Sequence, residues 1–208
     1  MMDKNKTGKL AWWIGNIYKI SPIKRSIIIW VVFQITLWVV FGISYINHKE
    51  AWTNAIEVES TTAAVGGWFT TLLFIFINNL IICALIIIGN IFVRFNIITP
   101  GLIILAIQAV MIGWMAGTNG FEVPFVSVQA ANLQYLKIGL WETTSYALAC
   151  AVTLPKSLNI AETFPAKEWS QTRKLKDISF NTSEKTIVLV SSITLLIAAI
   201  IETVSIIG

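Results

Sequence analysis

Residues 68–90 read WFTTLLFIFINNLIICALIIIGN, twenty-three positions without a charge. A helix rises 1.5 Å per residue, so about 20 residues cross the ~30 Å hydrocarbon core of a bilayer. This stretch is long enough to do so. Four further apolar runs flank it, at Ile27–Ile46, Leu102–Thr118, Ile138–Leu154 and Thr186–Ile207. The runs starting at Leu102 and Ile138 are 17 residues each, at the short limit, and span with local thinning or ragged ends. The first run begins at Ile27 and is too long for the apolar part of a cleavable leader, so it reads as a retained span.

Charge orients these runs. Thirteen of the fifteen Lys and Arg residues lie in the N-terminal arm, at Arg94, or between Lys156 and Lys185. The other two inter-run segments hold only Lys49 and Lys137, beside Glu50, Glu57, Glu59 and Glu122. Basic residues collect on the cytoplasmic face of a membrane protein, so the N-terminus is expected inside and the C-terminus outside. Five spans satisfy that bias, whereas four or six would place a basic segment on the wrong side. The expected fold is an all-α polytopic membrane bundle of five spans, forming one transmembrane domain over residues 27–208. Residues 1–26 form a cytoplasmic arm.

Composition agrees. The chain of 208 residues is 56% hydrophobic and 12% charged, with a mean hydropathy of +0.74. Its longest soluble stretch, Pro155–Lys185, leaves no room for a separate catalytic domain. The net charge of +4 follows topology and does not point to nucleic acid. Frequent Ile, Lys and Asn suggest an AT-rich prokaryotic genome.

Between the spans, Leu10–Ile20 interleaves Trp12, Trp13 and Tyr18 with Lys9 and Lys19, the pattern of a short interfacial helix. Residues Asn119–Lys137 are too apolar for a solvated loop and too short to cross. A re-entrant or interface-lying segment, with a short helix at 126–136, is expected there. Asn181-Thr182-Ser183 resembles a glycosylation sequon but lies on the cytoplasmic side.

Catalytic and metal-binding patterns are missing from the sequence. The single histidine, His48, stands alone in an outer loop, and Cys83 and Cys150 read as buried free thiols. No cofactor is expected. The informative side chains are the polar ones inside spans: Gln34, Asn78, Asn79, Asn90, Gln108, Glu142 and Glu202. Glu202 lies about four turns into the last run, near its outer end, and is expected to snorkel. Glu142 shares a helix face with Tyr146, Cys150 and Thr153. With Asn78 and Asn79 it is expected to form a structural polar lock between helices; a proton or substrate site and a partner contact are the alternatives. Gly113, Gly117, Gly139, Ala147 and Ala151 are small enough to let helices approach closely.

These same residues carry a family resemblance over roughly residues 68–160. Asn78-Asn79, Gly89, Thr99-Pro100-Gly101 and Gly113, then Gly139-x-x-Glu142 followed by Tyr146-Ala-Leu-Ala-Cys-Ala151, resemble the stage II sporulation protein M family of integral membrane proteins. The chain departs at Ile138, where that family has a histidine. The resemblance implies a polytopic, non-catalytic scaffold; in spore formers the family organises cell-wall hydrolases during engulfment. It does not imply sporulation here. The expected function is therefore a membrane scaffold or assembly subunit, with lipids and other membrane subunits as partners. An accessory subunit of a respiratory or copper-dependent oxidase is the alternative, and a transporter or channel is less favoured.

Overall fold

The computed structural model describes residues 15–53, 66–121 and 123–207. Helix α1 spans Pro22–Asn47, with Pro22 in the first turn, where a missing N–H costs nothing, and Ser21 as its cap. A single turn, α2 (Glu50–Thr53), follows. Helix α3 spans Trp68–Phe92 and runs straight into a short strand, β1 (Val93–Phe95). Helix α4 (Pro100–Gly117) starts at Thr99, whose hydroxyl accepts a hydrogen bond from the Leu102 amide at 3.1 Å. After α5 (Val128–Gln134) comes a π-helical turn at Tyr135–Gly139, then α6 (Leu140–Thr153) and a 3-10 turn at Leu154–Lys156. Strands β2 (Asn159–Ala161) and β3 (Ser170–Gln171) precede α7 (Thr182–Ile207). Asn181 and Glu184 cap α7 reciprocally, each side chain accepting from the other's amide at 2.9 and 3.0 Å.

Helices α1, α3, α4 and α7 are long and apolar enough to cross a membrane. Their outer faces carry exposed side chains such as Val32, Phe74, Ile107, Leu189 and Ile193. A surface this apolar suits a lipid solvent, in which helices gain nothing from hiding Leu or Ile and associate instead through close packing and polar contacts. Helix α6 differs from the other four. Nine of its fourteen residues are buried, among them Ser145, Ala147, Cys150 and Ala151, and it packs on α7, α1 and α3. The shortest and least apolar of the bundle helices is the one its neighbours enclose.

Three features depart from the sequence expectations. The helical run ending near Leu154 begins ten residues before Ile138, because α5, the π turn and α6 are continuous; the residues at each junction keep helical dihedrals. Residues 128–136, expected as a short helix within a re-entrant or interface-lying segment, are thus helical and continuous with α6. The fold is also not purely helical. Strand β1 pairs parallel with β2, and β2 pairs antiparallel with β3, forming a small cap on one end of the bundle. Finally, the expected interfacial helix at Leu10–Ile20 lies mostly outside the described residues, but its end is fixed: the Tyr18 hydroxyl donates to the Ile97 carbonyl at 2.9 Å, and the Arg94 guanidinium sits 4.4 Å from the Tyr18 ring centre. Burial pushes the Tyr18 phenol above its ordinary pKa, with Arg94 pulling the other way.

Contacts sort the chain into two ends. One gathers Ile20, Arg25, Asn90, Ile97, Ala151, Lys156 and Glu184. The other gathers Ser44, Trp52, Gly113 and Gly117, where Trp52 Nε1 donates to the Gly117 carbonyl at 2.9 Å.

Candidate functional site

Polar side chains inside the bundle form two layers. The layer at the basic end is closed. Asn90 is fully buried; its amide nitrogen donates to the Cys150 carbonyl at 3.2 Å and to Thr153 Oγ1 at 2.9 Å, while its oxygen accepts from the Thr99 hydroxyl. One side chain thereby joins α3, the start of α4 and the end of α6. Beside it Arg25, 2% exposed, donates to the Ala151 carbonyl and lies 3.8 Å from Glu184, which Lys156 meets at 2.9 Å. Arg25 is thus a buried structural cation, although sequence counts it among the exposed topogenic charges.

The second layer lies in the middle of the bundle. Asn79 Nδ2 donates to Glu142 Oε1 at 2.6 Å, and the Tyr146 hydroxyl donates to Asn79 Oδ1. Asn79 and Glu142, from separate halves of the sequence, are brought together. Asn78 is not: it is exposed on the outer face of α3 and takes no part in the hydrogen bonds among the described residues. Successive residues on a helix point 100° apart, so only one of two adjacent asparagines can face the interior. Glu202 is only partly exposed on α7, and its side chain lines the same cavity as Glu142. The two carboxyl groups thus face one volume, where a proton or a cation would offset their mutual repulsion.

The π turn shapes the space next to this pair. It carries Tyr135, whose hydroxyl donates to Gln34 Oε1 at 2.7 Å and lies 3.2 Å from Thr143 Oγ1. The Tyr135 ring packs edge-on against Trp38 at 5.5 Å. Gly139 is required there, since a Cβ would press on the Tyr135 ring at 2.6 Å, so its small size serves the turn rather than a neighbouring helix. Between α1, α4, residues 123–126, the π turn and α7 lies a cavity of about 1070 Å³. Glu142, Glu202, Thr143 and Tyr135 line it together with Trp38, Phe41, Phe121 and Phe125. A smaller cleft of about 280 Å³ beside Trp30 and Leu148 is lined by hydroxyls and apolar groups and holds no charge.

The remaining small residues lie at seams. A Cβ on Gly113 would meet the Leu37 carbonyl, and one on Gly117 the Ser44 hydroxyl and the Phe41 carbonyl at 2.6 Å, so both line the contact between α4 and α1. Ala147 and Ala151 are fully buried on α6. Cys83 and Cys150 are buried free thiols with separate partners, Ser145 and Asn90. Among the described residues no group of three His, Cys, Asp or Glu side chains is placed to hold a metal.

Sequence reading missed the Asn90 knot, the Gln34–Tyr135–Thr143 cluster and the cavity that Glu142 and Glu202 share. A signal for the last existed: of the two ionisable residues inside the expected spans, each needs a polar setting in lipid, and one shared cavity supplies it to both. No family model matches this sequence, and no curated protein and no solved structure is similar to it.

Proposed function

We propose that this chain is a non-catalytic subunit of a membrane assembly, crossing the bilayer five times with its N-terminus in the cytoplasm and its C-terminus outside. The fifth crossing in this reading is the continuous run Val128–Lys156, about 40 Å long by the helical rise, whose α6 portion is enclosed by the other bundle helices. The orientation rests on the basic residues collected around Arg94 and Lys156–Lys185.

One observation carries the subunit reading. Asn78 places an amide at the middle of α3, on its outward face, among Phe74, Ile77 and Ile81. Hydrocarbon offers that amide no hydrogen-bond partner, and a polar group in such a position is the usual adhesive between transmembrane helices. A helix from another subunit satisfies it. The resemblance to the sporulation protein M family is consistent with this role, and its two separated elements meet at the Asn79–Glu142 bond.

The test is site-specific photo-crosslinking in native membranes, with a benzophenone amino acid at position 78 and, as control, at the buried position 86. A discrete adduct from position 78 alone supports the proposal. A chain that gives no adduct and purifies as a lone monomer overturns it. Reporter fusions at both termini test the crossing count separately, since four or six crossings put the two ends on the same side.

A further inference from the structure

The cavity beside the carboxyl pair has a chemistry of its own. Its volume, about 1070 Å³, is that of a site for a drug-sized molecule. Its lining includes two carboxyl groups, Glu142 and Glu202, and the aromatic side chains Trp38, Phe41 and Phe125. Two acids on one cavity between apolar helices favour a positive centre in the same volume. Asn79 anchors Glu142 from behind at 2.6 Å, leaving its other oxygen for that centre. Aromatic faces attract cations that have lost part of their water, and apolar substituents fit the rest of the lining. We infer that this cavity binds a lipophilic organic cation, a quaternary or protonated ammonium or a phosphonium with apolar arms, seated among Glu142, Glu202 and Trp38. A hydrated metal ion fits less well, since much of the lining is apolar carbon. The inference does not depend on the subunit proposal, because Asn78 lies on α3 outside the cavity lining.

Equilibrium binding of radiolabelled tetraphenylphosphonium to the full chain in detergent micelles tests it. Saturable one-to-one binding is expected, quenching Trp fluorescence and displaced by tetrapropylammonium but not by neutral triphenylphosphine oxide. The double variant Glu142→Gln, Glu202→Gln keeps the hydrogen bonds and is expected to bind at least tenfold more weakly with an unchanged melting temperature. Trp38→Leu, which leaves both carboxyl groups in place, is expected to weaken binding severalfold and Asn78→Leu to leave it unchanged. Absence of saturable binding to the native chain, unchanged affinity in a folded double variant, or equal displacement by the neutral oxide overturns the inference. If the double variant does not fold, unchanged affinity in Trp38→Leu overturns it as well.

Discussion

Asn90→Leu and Asn78→Leu make the same chemical change on one helix, and the structure assigns them opposite outcomes. The Asn90 amide makes two donor bonds, to Cys150 O and Thr153 Oγ1, and accepts one from Thr99. Hydrogen bonds inside membrane proteins average about 0.6 kcal/mol and reach about 1.7, so three give about 2 to 5 kcal/mol. The partners decide where in that range the loss falls. Thr153 keeps its bond to the Ala149 carbonyl, and the Cys150 carbonyl keeps its helical partner, the Leu154 amide. The Thr99 hydroxyl still caps α4 as an acceptor but loses the acceptor for its own proton. One donor is therefore stranded rather than three groups, which puts the cost of Asn90→Leu at about 2–3 kcal/mol, before any strain from the larger side chain. Asn78→Leu strands nothing within the described chain, and the isolated protein is expected to keep or gain stability. The assay is reversible unfolding in mixed micelles with increasing dodecyl sulfate, followed by the fluorescence of the nine tryptophans. Costs for the two variants within about 0.5 kcal/mol of each other, well inside the ~2 kcal/mol gap argued from the bonds, would refute the assignment of Asn90 to the interior and Asn78 to the exterior.

Glu142→Gln is expected to express and melt like the native chain, because an amide oxygen preserves the bond from Asn79; Glu142→Leu strands the Asn79 amide and is expected to lower the yield of folded protein in size-exclusion profiles. Gly113→Leu forces a side chain into the α1 backbone at Leu37 and is expected to cost at least about 1–3 kcal/mol in the same unfolding assay. Arg25→Met leaves Glu184 with Lys156 as its remaining charged partner and strands the Ala151 carbonyl contact, and is expected to cost about 1–3 kcal/mol; adding Glu184→Gln, which can still cap α7 at Asn181, is expected to recover part of that loss, measured as a double-mutant cycle.

The four helices long and apolar enough to cross a membrane were legible because their uncharged runs stand out in sequence. Helix α6 escaped the same reading at its outer end. Residues such as Asn132 and Gln134 look too polar for a span, yet they are half-buried, continue the helix into α6 and line the cavity. The inward face of α3 was readable in principle. Thr71, Asn79, Cys83 and Asn90 fall on one stripe at helical spacing with Ile75 and Ile86, and Asn78 falls off it. The small β cap was not legible, because its strands are only two or three residues long, β1 reaches β2 from more than sixty positions away, and neither leaves a periodic trace.

The two polar layers differ in how fully they are satisfied, and that difference separates structure from site. Around Asn90 and Arg25 the side-chain donors have acceptors in the same chain and burial is close to complete. Such a layer fixes the relative heights of α1, α3, α6 and α7 and gives a ligand nothing to bind. Around Glu142 the pairing is partial. Asn79, itself held by the Tyr146 hydroxyl, satisfies one oxygen of the carboxyl, while the carboxyl also faces an open volume that Glu202 lines. A bundle selected only for rigidity would gain by replacing Glu202 with an amide, which satisfies Glu142 without a second acid. Keeping two acids where one acid and one amide would pack as well leaves a place for a positive charge. Glu202→Gln separates the two cases: a purely structural pair becomes more stable, whereas a cation site loses its ligand at least tenfold with the fold intact.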